Sequence, residues 1–251
     1  MLIEKSILEA KRQLGERIFQ IKLLSPRIAK LAKPGQFCNI KVSESDFPLL
    51  RRPFSISNVE GDSIYFLFDI HGEGTKILSE KSLGDELDIL GPLGNGFNYD
   101  GDYSTAIIVA GGLGSAPFPF LTSKLDKKKV VSFVGARNSS LVLTEDLLNV
   151  QAATDDGSLG FKGTVVELLT GYVEKNNLNS FRIFSCGPNP MLKALQQICI
   201  ERNYDCQISI ECAMACGFGI CQGCPVEKAN GEGYKLVCKD GPVFEAKEVK
   251  L

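Results

Sequence analysis

Residues 106–117 read Ala-Ile-Ile-Val-Ala-Gly-Gly-Leu-Gly-Ser-Ala-Pro, an apolar run followed by Gly111, Gly112 and Gly114. This is the pattern of a buried strand, a glycine turn and the start of a helix. Free backbone N–H groups at such a helix start attract a pyrophosphate. The stretch is a variant of the dinucleotide-binding fingerprint, with Pro117 where the last glycine usually stands. A glycine turn that binds no ligand is the alternative.

Apolar strands and helical segments alternate after residue 100. Strands are predicted near residues 106–110, 130–134, 181–185 and 205–210, with helices at 118–126, 164–174 and 189–202. This alternation predicts a parallel sheet with crossover helices. Gly135-Ala-Arg137 and Cys186-Gly187-Pro188 also follow strands, at the carboxyl edge where open α/β sheets bind ligands. The sequence therefore predicts a nicotinamide nucleotide site at this edge, and residues 154–158 are either an ordinary turn or a ribose-binding loop.

Short apolar segments separated by turn residues fill the first hundred positions. Alternation of apolar and polar residues is clear at 18–22 and 37–42. Such segments predict an antiparallel β-barrel. The glycine-rich stretch 91–96 is predicted to be a linker that closes this unit. We expect three units: a barrel at 1–99, a nucleotide-binding α/β domain at 100–210, and a small module at 211–251.

Four cysteines near the C-terminus have a diagnostic spacing. Cys216, Cys221 and Cys224 follow the pattern C-x4-C-x2-C, and Cys238 comes after thirteen more residues. This is the plant-type [2Fe–2S] arrangement. A structural zinc site and a chance group of buried thiols are the alternatives. Cys212 precedes the pattern and is predicted to be a packed or surface thiol. Because residues 211–251 are too short for their own apolar core, something other than hydrophobic burial is expected to hold them together.

The bulk properties exclude several classes of protein. The chain has 251 residues with 28 basic and 30 acidic side chains, so its net charge of -2 gives no general attraction to nucleic acid or anionic lipid. Charged residues within positions 4–17 are incompatible with a signal peptide, and no apolar run is long enough to span a membrane. Nine cysteines then indicate metal or redox use in the cytosol rather than disulfides. The single histidine, His71, weakens any Ser-His-Asp proposal.

Two segments of the predicted barrel carry groups suited to a flavin nucleotide. Residues 50–56 read Leu-Arg-Arg-Pro-Phe-Ser-Ile, which combines an arginine for phosphate with an aromatic ring and a hydroxyl. Residues 71–75 read His-Gly-Glu-Gly-Thr, which offers amides and a hydroxyl where a helix begins. Taken alone, each segment is equally consistent with a turn.

The order of these motifs resembles the ferredoxin reductase superfamily. The tail, at 214–224 and 237–244, is similar to the electron-transfer subunits of NAD-dependent, two-subunit dihydroorotate dehydrogenases, and the resemblance covers essentially the whole chain. It implies FAD, NAD(H) and one [2Fe–2S] cluster. The residues implied for FAD are Arg52, Pro53, Phe54, Ser55, Phe68, Ile70, Gly74 and Thr75. Those implied for the nicotinamide nucleotide are Gly111, Gly112, Gly114, Pro117, Cys186 and Gly187. Those implied for the cluster are Cys216, Cys221, Cys224 and Cys238.

The resemblance also implies a function and a partner. Electrons would pass from the FMN of a dihydroorotate dehydrogenase catalytic subunit through the cluster and FAD to NAD+, within a heterotetramer of two copies of each subunit. No general base for dihydroorotate oxidation stands out, so that half-reaction is expected on the partner. One alternative is the reductase subunit of a cytosolic hydrogenase or transhydrogenase. Another is a redox-sensing module, which the glycine loop argues against. Arg137 is too generic to decide between NADH and NADPH.

Overall fold

The computed structural model describes residues 1–251, and its N-terminal part is a closed six-stranded barrel. The strands follow in the spatial order β1-β2-β5-β4-β3-β6, and every neighbouring pair is antiparallel. Their bounds are β1 Leu2–Gln13, β2 Ile18–Leu24, β3 Phe37–Lys41, β4 Arg52–Glu60, β5 Ser63–Asp69 and β6 Glu86–Leu93. The predicted antiparallel barrel is confirmed.

Strand β3 is where the barrel meets the rest of the protein. Cys38 and Ile40 lie in the barrel core, whereas Phe37 packs in the core of the neighbouring sheet, because successive side chains of a strand point to opposite faces. Gly91 of β6 lies against Cys38, and an added Cβ would be 2.3 Å from its Sγ. Strand β6 therefore continues through Leu93. The prediction of a linker over 91–96 is wrong for its first three residues.

Two helices accompany the barrel, α1 at Pro26–Leu31 and α2 at Glu73–Glu80. The buried Glu4 carboxylate accepts hydrogen bonds from the N–H of Arg27 (3.1 Å), the N–H of Ile28 (2.9 Å) and the hydroxyl of Ser25 (2.7 Å). It thereby satisfies N–H groups that the start of a helix leaves free. This contact ties α1 to strand β1.

The second unit is a parallel sheet. Its strands are β7 Thr105–Gly111, β8 Lys129–Ala136, β9 Val150–Thr154, β10 Phe161–Lys162, β11 Phe181–Cys186 and β12 Cys206–Ser209. Strand β7 lies near the centre between β8 and β11, and all seven of its residues are buried. Such a strand is covered on both faces, as parallel sheets require. The predicted parallel sheet is confirmed.

The crossover helices are α3 Phe118–Thr122, α4 Val165–Lys175 and α5 Asn189–Glu201. A capping box begins α4: Thr164 Oγ1 accepts from the Glu167 N–H (3.2 Å), and the Glu167 carboxylate accepts from the Thr164 N–H (2.7 Å). Helix α3 ends four residues before the predicted boundary. The chain beyond it forms tight turns between residues three apart, such as Leu125 N–H to Thr122 C=O.

The C-terminal segment contributes β13 Pro225–Glu227, β14 Tyr234–Leu236, α6 Val237–Asp240 and β15 Val243–Glu245. Strand β15 pairs antiparallel with β12 and forms one edge of the central sheet. Val226, Val237 and Phe244 pack in the core of that sheet. Hydrophobic burial therefore anchors the segment, contrary to the expectation from its length. None of the helices combines the length and apolar composition needed to span a bilayer.

Candidate functional site

A cleft of about 270 Å³ lies between barrel strands β4 and β5 and the segment that follows β12. The opposite wall is formed by Ser209–Cys212 with Met214. Six of the eight residues predicted to bind FAD line this cleft: Arg52, Pro53, Phe54, Ser55, Phe68 and Thr75. The structure thus brings the two predicted flavin segments together on one wall.

Arg52 and the start of α2 form the polar end of this wall. Gly74 packs directly on the arginine, since an added Cβ would be 2.6 Å from Arg52 Nε. The first N–H groups of α2 have no partner within the helix. A guanidinium beside such N–H groups is suited to a pyrophosphate. Ile70 does not line the cleft. Its N–H and carbonyl are both hydrogen-bonded to Arg17.

Aromatic side chains form the apolar part of the same wall. Phe68 is only 1% exposed, and its ring centroid lies 5.6 Å from that of Phe54 and 5.9 Å from that of Phe19. These rings are held by the barrel core on their inner side. Of these rings, Phe54 and Phe68 line the cleft and give it an apolar side that could contact a planar ring system.

A second cavity, of about 470 Å³, lies at the carboxyl edge of β7 and β8. Gly111 and Gly112 line it, together with Arg137, Asp155 and Pro188. Gly111 must be glycine, because an added Cβ would be 2.7 Å from Pro188 Cδ, and Gly112 has a φ of +52°. The structure therefore has a cavity at the sheet edge where the sequence predicts the nicotinamide nucleotide site.

The other residues predicted for the nucleotide lie behind or beside this cavity. Gly114 and Pro117 are buried, and a Cβ on Gly114 would be 2.4 Å from the Cys186 carbonyl oxygen. Gly187 packs against Gly111 in the same way. These glycines let the β7 turn approach the end of β11 closely.

Cys186, at the end of β11, lies next to the cleft that contains the predicted FAD residues. It is 1% exposed, and its thiol interacts with Ser209 and faces Glu211, both of which line the cleft. Burial, followed by the Glu211 carboxylate, raises the pKa of the Cys186 thiol above its usual range. The thiol is therefore neutral at physiological pH.

Backbone amides surround the first two cysteines of the C-terminal loop. The Cys221 N–H donates to Cys216 Sγ at 3.4 Å, and the Gly223 N–H donates to Cys221 Sγ at 3.5 Å. Burial opposes ionisation of Cys216, but N–H groups of Cys221, Phe218 and Ile220 lower its pKa to about 6. The thiolate is the form that binds metals.

The other two cysteines are buried side by side. Cys224 Sγ lies 3.2 Å from Cys238 Sγ, and the Cys238 N–H donates to Cys224 Sγ at 3.4 Å. Burial and the neighbouring Cys224 raise the pKa of Cys238 to about 12. Cys224 and Cys238 therefore form a pair of sulfurs, and Cys221 contacts the Cys216 sulfur through its backbone N–H. No three metal-ligating side chains surround a single ion position.

Comparison with known proteins agrees with this arrangement. Residues 211–250 match the family described as the iron-sulfur cluster binding domain of dihydroorotate dehydrogenase B. A curated relative from Caldanaerobacter subterraneus subsp. tengcongensis, named dihydroorotate dehydrogenase B (NAD(+)), electron transfer subunit, is 41% identical over 224 residues, 88% of each chain. One of the same name from Bacillus pumilus is 40% identical over 253 residues, 96% of each chain. The chain belongs to this family of electron transfer subunits.

A solved structure is similar to this electron transfer subunit throughout its length. It is described as an NADH-dependent reduced ferredoxin-NADP oxidoreductase, studied for flavin-based electron bifurcation. The TM-score is 0.86 at 26% identity, with 98% of this chain and 90% of that chain covered. The barrel, the sheet and the C-terminal segment therefore occur together in a flavin-dependent relative.

The cysteines of the electron transfer subunit fit a two-iron cluster. In a [2Fe–2S] cluster held by four cysteines, each iron takes two thiolates. The neighbouring sulfurs of Cys224 and Cys238 match this requirement for one iron, and N–H groups already point at the sulfurs of Cys216 and Cys221. Such amide contacts are the usual surroundings of cluster sulfurs.

Two residues of the electron transfer subunit's cleft were not predicted from the sequence. Glu211, two residues after β12, has its pKa raised by desolvation in the cleft and then by the carboxylate of Asp69. Cys212 is partly buried in the same cleft, and burial followed by nearby Cys224 raises its pKa to about 11. Cys212 therefore lies between the cleft and a predicted cluster ligand. Glu211 follows a strand at the ligand-binding edge, a signal that could have identified it.

Proposed function

We propose that this chain binds FAD in the cleft, a nicotinamide nucleotide in the second cavity and a [2Fe–2S] cluster on its four loop cysteines. It passes electrons between the FMN of a partner dihydroorotate dehydrogenase and NAD+. One observation carries the proposal: the segment Ser209–Met214 lines the flavin cleft and leads within two residues to Cys216. The wall of the cleft that faces the barrel and the cluster loop are therefore parts of one continuous stretch of chain.

The flavin supplies the exchange between two-electron hydride chemistry and one-electron transfer. The protein's own residues bind and orient it. Arg52 and the first amides of α2 hold the pyrophosphate, while Phe54 and Phe68 keep water from the ring. Glu211, whose pKa is raised, can hold or release a proton inside the cleft. Gly111 and Gly187 let the turn after β7 pack closely on the end of β11, next to the second cavity.

The nucleotide in this proposal is NAD(H) rather than NADP(H). The relatives carry NAD(+) in their names. Asp155 lines the second cavity where a carboxylate can accept a hydrogen bond from a ribose hydroxyl. A carboxylate would repel the additional phosphate of NADP(H).

The protein is an oxidoreductase subunit, and we propose that it becomes catalytic with an FMN-containing dihydroorotate dehydrogenase subunit, two copies of each. The side of the cluster loop away from the cleft is open, because Cys221 and Ile220 are exposed. We also propose a cytosolic location, which suits nine cysteines without a disulfide. We propose domains at 1–99, 100–210 and 211–251. Strand β15 of the last domain is an edge strand of the central sheet.

The test is to purify the chain anaerobically with any bound partner and assay NAD+ reduction by dihydroorotate. We expect a flavin-containing dehydrogenase to co-purify, and its NAD+-linked activity to disappear in a Cys221→Ser variant. Co-purification with a nickel enzyme would favour the hydrogenase alternative instead. Absence of NADH-dependent dye reduction by the reconstituted chain would favour the redox-sensing alternative.

A further inference from the structure

An asparagine of the barrel holds the start of the cluster loop. Asn39 on β3 is 1% exposed, and its Nδ2 donates to the carbonyl oxygen of Cys216 at 3.2 Å. The next residue, Gly217, has a φ of +78°, and an added Cβ would be 2.1 Å from Asn39 Nδ2. The loop backbone therefore lies directly on the amide.

A second asparagine holds the end of the same loop. Asn95 follows β6, and its Nδ2 donates to the carbonyl oxygens of Lys239 (3.2 Å) and Asp240 (3.1 Å). These residues come immediately after Cys238. The backbone of Asn95 also pairs with Pro242, so the chain is held beside the end of the loop at this residue.

We infer that Asn39 and Asn95 form an asparagine clamp, two positioning residues that fix the first and last cluster cysteines relative to the flavin-binding barrel. Asn39 pairs across the sheet with Pro53, which lines the flavin cleft. Only the paired strands β3 and β4 therefore lie between the barrel side of the cleft and the carbonyl of Cys216. Because β3 is hydrogen-bonded on both sides, to β4 and β6, this distance is held rigidly.

The clamp differs from ordinary packing. Asn39 Oδ1 is buried and has no hydrogen-bond partner, an arrangement that lowers stability. A side chain that only filled space would be apolar here. The contribution of Asn39 therefore lies in its N–H donor, which is aimed at the ligand residue Cys216.

The test rests on the proposed function and uses the full chain carrying FAD and the cluster. Asn39→Asp and Asn95→Asp keep the side-chain size but replace the donor with a carboxylate. Asn58→Asp is the matched control, since Asn58 only accepts from the neighbouring Val59 N–H and aspartate retains that acceptor. Asn95→Ala is added because the exposed Asn95 side chain can be removed without disturbing the core.

We expect flavin content and the rate of flavin reduction by NADH to match the wild type in both Asn95 variants, in Asn58→Asp, and in Asn39→Asp if that variant folds. Electron transfer from flavin to cluster should slow by about fivefold for each lost amide contact, as expected for a loop that leaves its docked position when one hydrogen bond is lost. The paramagnetic resonance spectrum of the reduced cluster should broaden, because the loop then adopts several positions. The Asn58→Asp control should show neither change.

Wild-type transfer rates and spectra in Asn95→Ala and Asn95→Asp would overturn the clamp, even if Asn39→Asp fails to fold. A lower melting temperature with an unchanged transfer rate would also overturn it, because the asparagines would then be merely structural. Wild-type protein that holds no iron would instead contradict the proposed function. The two failures are therefore distinguishable.

Discussion

Replacing Gly74 with alanine tests whether Arg52 holds the flavin's pyrophosphate. The new Cβ would lie 2.6 Å from Arg52 Nε, whereas ordinary contact begins at 3.4 Å. The flexible arginine, rather than the helix, must therefore move. A charge-assisted hydrogen bond contributes about 1.5–3 kcal/mol, or roughly 10- to 150-fold in affinity. We expect Arg52→Ala to raise the Kd for FAD within this range, and Gly74→Ala to raise it by about tenfold.

The assay is titration of the flavin-free protein with FAD, followed by flavin fluorescence. If Gly74→Ala acts by displacing Arg52, it should have no further effect in the Arg52→Ala background. Gly171→Ala in α4 is the control, since nothing lies within 4 Å of its added Cβ; it should raise stability by about 0.5–1 kcal/mol and leave the Kd unchanged. Additive effects of Gly74→Ala and Arg52→Ala, or a wild-type Kd in Gly74→Ala, would refute the reasoning.

Three further predictions concern other sites. Cys221→Ser should abolish the visible absorption of the cluster and leave flavin content intact; an unchanged spectrum would remove Cys221 from the ligand set. The raised pKa of Glu211 means that the folded, flavin-free protein holds this proton more tightly than the unfolded chain, so stability falls as pH rises through the raised pKa. In Glu211→Gln, the free energy of unfolding, measured at several pH values, should fall less with rising pH than in the wild type. An equal fall would contradict this. Glu4→Gln should lower the free energy of unfolding by about 1–3 kcal/mol in urea, because an amide nitrogen then faces N–H and hydroxyl groups that the carboxylate satisfied; unchanged stability would exclude that capping role.

Local sequence patterns predicted the parts of the structure that depend on neighbouring residues. The apolar run of β7 and the glycines after it specify a buried strand and a close turn, whatever the rest of the chain does. The cysteine spacing likewise specifies a loop that brings sulfurs together. The segments at 50–56 and 71–75 were each ambiguous alone, and only the barrel shows that they share a wall.

The features that sequence patterns missed all depend on distant contacts. Strand β15 joins the central sheet through pairing with β12, which no local periodicity encodes. The stretch 91–93 looked like a linker because glycine and proline usually interrupt strands, yet Gly91 is needed to pass Cys38. Asn39 and Cys212 matter only because the C-terminal loop folds back on the barrel and the cleft.

The most direct test of the electron path is paramagnetic resonance of the anaerobically purified chain after addition of NADH alone, with iron and flavin measured on the same sample. Two irons and one FAD per chain are expected, with a reduced [2Fe–2S] signal that appears only when NADH is added. Zinc in the loop, or a loaded cluster that stays oxidised while the flavin is reduced, would contradict a connection between the cleft and the cysteines.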